Sequence, residues 1–305
     1  MNPVRVTVLM GGPDAEREVS ICSGTRVADA LGRCPGFAVQ ALRIDKLTSH
    51  SLARVEGDVI FPVLHGPWGE GGPLQELLEH DGRPFVGSRS AGAAMAMDKA
   101  ATKSVAGSLG VQTPAAQVIR SVDDLAIAGP VVLKPIDDGS SVDLRICRDR
   151  AATEAAAAEL LGRRRALLVE RYIHGREITV GILHGRALPV IEIVPGVEFY
   201  DYEAKYRRND TQYLFDTLPA VVAEQAQQGA LAVFGALALR DLARADFMVD
   251  SAGAWFLEIN TMPGMTDHSL LPKAAARMGL SFERVCSGAV EAALARIGLR
   301  SGAAA

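Results

Sequence analysis

A chain of 305 residues is too long for one small core and fits two or three subdomains. Hydrophobic content of 49% and charged content of 22% describe an ordinary soluble globular protein, and a net charge of -4 offers no general attraction to nucleic acid or to anionic membranes. No apolar run reaches membrane-span length, and Cys22, Cys34, Cys147 and Cys286 lack the spacing of a zinc site or a disulfide framework. The chain enters a strand at once, with no signal peptide ahead of it, so reduced thiols in a cytoplasmic protein are expected.

In chain order, residues 4–10 read as a buried-type strand, Gly11-Gly12-Pro13 as a turn, and Asp14-Ala15-Glu16-Arg17-Glu18 as the start of a helix that Asp14 caps. Acids at this turn suit an amine or ammonium better than a phosphate, and plain helix capping is an equal alternative. A strand near residues 37–43, a helix or loop around 47–54 and a strong strand at 59–65 follow. His65 ends that strand ahead of Gly66-Pro67-Trp68-Gly69-Glu70-Gly71-Gly72, at the carboxyl end where open α/β sheets place ligands. A helix over 73–80 and a short strand at 84–87 complete a first α/β lobe, residues 1–87.

Residues 88–110 read as helical, with Gly110 as the stop, and strands are expected at 115–119 and 131–135. Lys134, in an otherwise apolar strand, is costly to bury without an anion. The turn after it, Asp137-Asp138-Gly139-Ser140-Ser141, carries backbone N–H groups and hydroxyls of the kind that fold over phosphates, although most such runs are only turns. A helix at 151–161 leads to strands at 167–173, 178–183 and 188–194. Residues 198–215 are aromatic and charged without a clean period, which suits a lid or a contact surface. A helix over 219–239, a hairpin, and helices near 271–278 and 281–296 close the chain, with a frayed end at 301–305.

The hairpin carries the sharpest chemistry. Residues 243–250 and 254–260 alternate as strands around Ser251-Ala252-Gly253. A three-residue loop pairs Asp250 with Ala254, which brings Asp246 opposite Glu258 and Arg244 opposite Asn260 on one face, with Leu257 and Ile259 on the other. Oxygen ligands with no Cys or His among them suit a hard cation such as Mg2+; carboxylates on a solvated hairpin face are the bland alternative.

Taken together, Lys134 with its Gly/Ser loop, Glu170 through Glu177, and Asp246, Glu258 and Asn260 resemble the ATP-grasp fold. Adding the run from Gly11 to Ser20, His65-Gly66, Tyr200-Asp201-Tyr202-Glu203-Ala204-Lys205-Tyr206 and Asn260-Thr261-Met262-Pro263-Gly264-Met265-Thr266 narrows the resemblance to the D-alanine–D-alanine ligase family over nearly the whole chain. It implies an α/β fold of three lobes, residues 1–87, 88–173 and 174–305, with ATP held between the last two. It also implies ligation of two D-alanines through a D-alanyl phosphate for peptidoglycan precursor synthesis, two Mg2+ ions that Mn2+ can replace, and a homodimer.

By the same resemblance, Lys99, Lys134, Ser141 and Lys205 serve the phosphates; Glu170, Tyr172 and Ile173 meet adenine, Glu177 the ribose, and Met248 and Leu257 sandwich the ring. Glu16 holds the first ammonium through a link with Ser140 and Tyr206. His65 and Arg244 face the first carboxylate and the tetrahedral oxyanion with help from the Gly264 N–H, and Ser269 and Leu270 bind the second carboxylate. Asp246, Glu258 and Asn260 hold the metal. Tyr206, where depsipeptide-forming relatives have Phe, favours D-alanine as the second substrate; D-serine or D-lactate ligation and a catalytically silent nucleotide-binding relative are the alternatives. Two departures stand out: Asp143 where the family has Gly after Ser-Ser-Val, expected to point to solvent, and Gly71 where the family has Asp.

Overall fold

A computed structural model describes residues 2–139, 143–196, 210–266 and 269–302. Three sheets organise them, each with its own helices.

The first sheet is parallel, in the order β2-β1-β3, with β1 at Val4–Gly11, β2 at Phe37–Ile44 and β3 at Val59–Pro62. Alternation along β1 sends Val6, Val8 and Met10 into one core and Leu9 into another. Helix α1 (Arg17–Gly32) covers the first of these faces through Val27 and Leu31. Helix α4 (Pro73–Asp81) covers the second through Leu74 and Leu78, beyond the short helices α2 (Ser49–Leu52) and α3 (Gly66–Gly69). The strand expected at 84–87 is a single bridge, Ile60 to Phe85.

Asp14 does not cap α1, whose N-cap position is Glu16. Its carboxylate instead accepts from the Trp68 and Gly69 N–H groups at 3.0 and 3.1 Å, because the turn through Gly11 and Gly12, both at positive φ, folds the chain against α3. Ser20 ties the same corner together, accepting from Gly11 N–H and donating to the Val63 carbonyl.

Residues 88–110 form two helices, α5 (Ser90–Met97) and α6 (Lys99–Ser108), broken at Asp98, whose side chain caps α6 by accepting from Ala101 N–H. The second sheet is antiparallel, in the order β4-β7-β5-β6: Ala116–Ile119, Leu167–Arg171, Val131–Pro135 and Arg145–Cys147. Helix α7 (Arg150–Leu161) packs Ala157 and Leu160 against its inner face.

The third sheet runs β11-β10-β8-β12-β13, with the two-residue β9 (Arg186–Ala187) on β8. Its strands are β8 (Arg176–Leu183), β10 (Ile191–Val194), β11 (Gln212–Phe215), β12 (Leu242–Asp250) and β13 (Gly253–Asn260). Helix α8 (Ala220–Ala236) buries Ala226, Ala230 and Val233 on one face of it. The other face shares a core with the first sheet, together with α9 (Leu270–Arg277) and α10 (Phe282–Gly302). That common core fixes the first and third sheets relative to each other. Among the described residues, no helix is long and apolar enough to cross a membrane.

Candidate functional site

The β12–β13 hairpin reaches the expected pairing by an unexpected route. Its turn is Ser251-Ala252, with Asp250 opposite Gly253 rather than Ala254, and Gly253 takes a φ of +119. One extra residue, Leu257, is then accommodated between the Phe247–Phe256 and Asp246–Glu258 pairs, a β-bulge that restores Asp246 opposite Glu258 and Arg244 opposite Asn260. The bulge corrects the strict alternation expected for β13: Leu257 and Glu258 both line one cleft.

That cleft has a volume of about 380 Å³ and lies where the second and third sheets meet. Lys99, Lys134, Glu170, Tyr172, Ile173, Glu177, Met248 and Leu257 all line it, alongside Asp246 and Glu258. Ser140, Ser141, Lys205 and Tyr206 lie outside the described residues. Gly139, just before them, also lines the cleft, and a Cβ placed on it would sit 3.1 Å from Glu16 Oε2. The start of the Gly/Ser loop therefore touches the carboxylate expected to hold an ammonium.

At the cleft floor, Asp246 is buried and bound on both oxygens. Arg244 Nε and Nη2 donate to Oδ1 and Oδ2 at 2.9 and 2.8 Å, Thr179 Oγ1 donates to Oδ1 at 2.6 Å, and the Asn260 amide nitrogen lies 3.4 Å from Oδ2. Glu258 faces the Lys99 ammonium at 3.6 Å, and Lys99 also donates to the Asp138 carbonyl. Two carboxylates and an amide on neighbouring strand positions form an all-oxygen donor set suited to Mg2+. Among the described residues no group of three His, Cys, Asp or Glu side chains is placed to hold a metal.

One wall contains a buried charge triad. Glu170 sits 2.6 Å from Lys134 and 2.9 Å from Lys103, with both lysines buried. Burial alone would raise the Glu170 carboxyl, but the two lysines outweigh it and hold it below the ordinary range. Burial pushes the Lys103 ammonium down despite Glu170. The Glu170–Lys103 contact is an ion pair without hydrogen-bond alignment, so Oε2 keeps an unspent lone pair. Lys103 was not singled out in the sequence, although it lies one helical turn from Lys99 on the same face of α6.

A second cluster gathers around the loop after β13. His65 Nδ1 donates to the Met262 carbonyl at 3.0 Å, while Glu70 accepts from Met262 N–H at 3.1 Å and from Gly66 N–H at 3.2 Å. Both side chains are buried, and together they clamp the loop that carries Gly264. Donation from Nδ1 leaves His65 Nε2 as a buried acceptor with no partner among the described residues. Ser269 accepts from Thr266 N–H and begins α9 with Leu270; a Cβ on Gly264 would lie 2.9 Å from its hydroxyl. In the sequence only its placement in a Gly-rich turn points to Glu70.

Burial pushes His65 down to about 4, and burial followed by the nearby Glu16 charge pushes Glu70 up to about 8. The stability consequences have opposite signs. The Glu70 contribution is complete below the unfolded glutamate value and is lost as pH rises toward 8; that of His65 is complete above the unfolded histidine value and is lost as pH falls toward 4. Urea unfolding across this range is expected to give Glu70→Gln a flatter decline on the alkaline side than the unsubstituted chain. Equal slopes would show that Glu70 does not titrate this way.

Two departures have structural reasons. Asp143 does not point to solvent: Arg163 Nη2 and Arg164 Nη2 each donate to its carboxylate at 2.7 Å. Its φ is +58, a left-handed position that glycine fills easily and aspartate tolerates. At Gly71, a Cβ would lie 2.4 Å from the Pro67 carbonyl oxygen, so this turn has no room for a side chain there.

The family model described as D-ala D-ala ligase C-terminus matches residues 112–291. The chain is 42% identical over 298 residues to the D-alanine–D-alanine ligase of Citrifermentans bemidjiense, covering 96% of this chain and 97% of that protein. It is 40% identical over 289 residues to that of Aquifex aeolicus, covering 93% and 99%. The crystal structure of the Bacillus anthracis D-alanine–D-alanine ligase complexed with ATP superposes with a TM-score of 0.84 at 29% identity, covering 98% of this chain and 99% of that one. The fold is ATP-grasp.

Proposed function

The chain belongs to the D-alanine–D-alanine ligase family, and from that premise we propose that it joins two D-alanines into D-alanyl-D-alanine with consumption of ATP, for peptidoglycan precursor synthesis. The observation that carries the reading is the convergence of eight expected nucleotide-binding residues on one cleft that Asp246 and Glu258 also line, with Asn260 two residues beyond Glu258 on the same strand. We divide the chain into lobes of residues 1–87, 88–173 and 174–305, supported by the three sheets falling within those limits. We take it to act as a cytoplasmic homodimer, as the family resemblance implies.

A carboxylate is a poor electrophile, and ATP supplies the phosphoryl group that makes the first D-alanine an acylphosphate open to attack by the second amine. Asp246, Glu258 and Asn260 would hold Mg2+, which would supply charge neutralisation at the transferred phosphoryl. Lys99 and Lys134 bring positive charge to the cleft, with Ser141 and Lys205 completing the phosphate contacts. Glu170, Tyr172 and Ile173 serve adenine, Glu177 the ribose, and Met248 with Leu257 the ring faces. Glu170 does so from within the wall, because its charge is already committed to Lys103 and Lys134.

Glu16 holds the first ammonium with Ser140 and Tyr206. Arg244, held rigidly by Asp246, faces the first carboxylate and, with the Gly264 N–H, stabilises the tetrahedral oxyanion. His65, whose Nδ1 donates to the Met262 carbonyl, stands with Arg244 at the first carboxylate and the oxyanion. Ser269 and Leu270 bind the second carboxylate at the start of α9. Tyr206 favours D-alanine over D-lactate, and closure of its loop excludes water from the acylphosphate.

The test is phosphate release from ATP and Mg2+ with D-alanine, with L-alanine, or with D-alanine plus D-lactate, and identification of products by mass. Release dependent on D-alanine, with D-alanyl-D-alanine as product, is expected. A depsipeptide product would overturn the Tyr206 argument, and tight ATP binding without release would overturn the substrate assignment.

A further inference from the structure

Away from the cleft, a cavity of about 160 Å³ opens between α4, the 83–89 segment, the 238–241 turn and α10. It shares no lining residue with the nucleotide cleft. Arg83, Arg89, Arg240 and Arg296 line it, with Glu79 as the acidic residue among its lining.

Three of these guanidiniums have identifiable partners. Arg83 is spent on Asp81 and on the carbonyls of Leu52, Val55 and Gly57. Arg296 forks onto Asp241 and donates to the Phe85 carbonyl, and Arg89 pairs with Glu79, which also accepts from Ser90. Arg240 has no side-chain hydrogen bond or ion pair among the described residues. It is half-buried, and its environment disfavours the cation through that burial and then through the neighbouring charges of Arg296 and Arg89.

The backbone holds Arg240 there at a cost. Ala238 and Asp241, flanking the segment that carries it, are both left-handed, at φ +50 and +60, although neither is glycine. Asp241 is fixed on every side: its carboxylate takes Gly87 N–H at 2.7 Å as well as Arg296, and its carbonyl takes His184 N–H at 2.6 Å. Aspartate tolerates this conformation, so the cost falls on Ala238, and such held positions cluster at functional sites. Here the turn presents a guanidinium with no side-chain partner among the described residues to a cavity also lined by Arg83, Arg89 and Arg296, each already held by a carboxylate, and by Glu79.

We propose that this cavity binds a phosphate-class oxyanion, free phosphate or the phosphate group of a larger molecule, between Arg240, Arg296 and Arg89. A tetrahedral anion offers oxygens in several directions and can meet guanidiniums from three segments at once, whereas a carboxylate is satisfied by a single fork. The bound anion neutralises Arg240 and fastens the 83–89 segment to the 238–241 turn and α10, so it stabilises the contact between the first and last lobes.

The experiment is thermal unfolding of the full chain with the nucleotide cleft filled by a non-hydrolysable ATP analogue. Inorganic phosphate and glycerol 3-phosphate are titrated against chloride at equal ionic strength. At ten times the dissociation constant, phosphate is expected to raise Tm by about 2–4 °C. Arg240→Met is expected to lose that shift, to keep its activity, and to melt in chloride no lower than the unsubstituted chain. A larger shift with glycerol 3-phosphate than with phosphate identifies a phosphomonoester as the source, and the reverse identifies free phosphate. The proposal is overturned by an equal shift in Arg240→Met, or by no shift beyond chloride in the unsubstituted chain. It is equally overturned if Arg240→Met changes only the oligomeric state, which would show that a second copy fills the cavity.

Discussion

Glu170→Gln is expected to lower Tm by roughly 10 °C and to remove measurable nucleotide binding. Glu170 is the anion that makes burial of Lys134 and Lys103 tolerable, at 2.6 and 2.9 Å. Lys103 also donates to Thr113 Oγ1, which donates onward to the Phe256 carbonyl, so the triad reaches the strand that carries Glu258. Neutralising Glu170 leaves two buried ammonium groups facing each other, and breaking a buried ion pair from one side costs about 3–5 kcal/mol. The companion variant Lys103→Met/Glu170→Leu/Lys134→Met removes all three charges and is expected to recover much of the lost Tm without recovering nucleotide binding. Calorimetric melting and a nucleotide titration read the two effects separately. An unchanged Tm for Glu170→Gln would mean that the triad is solvated in solution and that Lys134 is held by something else.

The pairing of Asp246 with Glu258 and of Arg244 with Asn260 was legible because a two-residue period is rigid: once Glu258 and Asn260 lay on one strand, a facing strand could only place Asp246 and Arg244 in a few registers. The turn was misjudged by one residue, and the compensating bulge at Leu257 was invisible because no residue type at that position announces it. Most strands and the long helices were readable from periodicity and breakers; the short strands at 145–147, 186–187 and 212–215, the one-turn helix at 66–69 and the break at Asp98 were not, and the strand expected at 84–87 is only a bridge. Asp14, Asp143 and Lys103 escaped for one common reason. Each is partnered by residues from a different segment, and such partners become known only when the chain is folded. The His65 tautomer escaped for the same reason, because it is set by a carbonyl 197 residues away.

Asp246→Asn is expected to reduce kcat by about 10²–10³ and to leave a defect that raising Mg2+ does not repair. The size follows from the two roles that meet on one carboxylate. Asp246 is a ligand of the proposed metal platform, and it fixes Arg244 through a bidentate pair while Thr179 fixes it in turn. An asparagine keeps one acceptor oxygen but loses the charge, so metal affinity and the aim of the guanidinium fail together. Two neighbouring substitutions separate these roles. Glu258→Gln is expected to shift the Mg2+ concentration needed for half-maximal rate, because it removes one charge of the proposed platform beside Lys99, 3.6 Å away, and leaves the fork of Arg244 onto Asp246 in place. Arg244→Lys is expected to lower kcat at unchanged Mg2+ dependence, since lysine cannot reproduce the fork onto Asp246. If Asp246→Asn turned over at the unsubstituted rate and Mg2+ requirement, the hairpin face would be only a charged surface and the metal would have to be held elsewhere. If instead the three variants divide as stated, one bulged hairpin both binds the metal and aims the cation, which is why a one-residue slip in its register would disable the site as a whole.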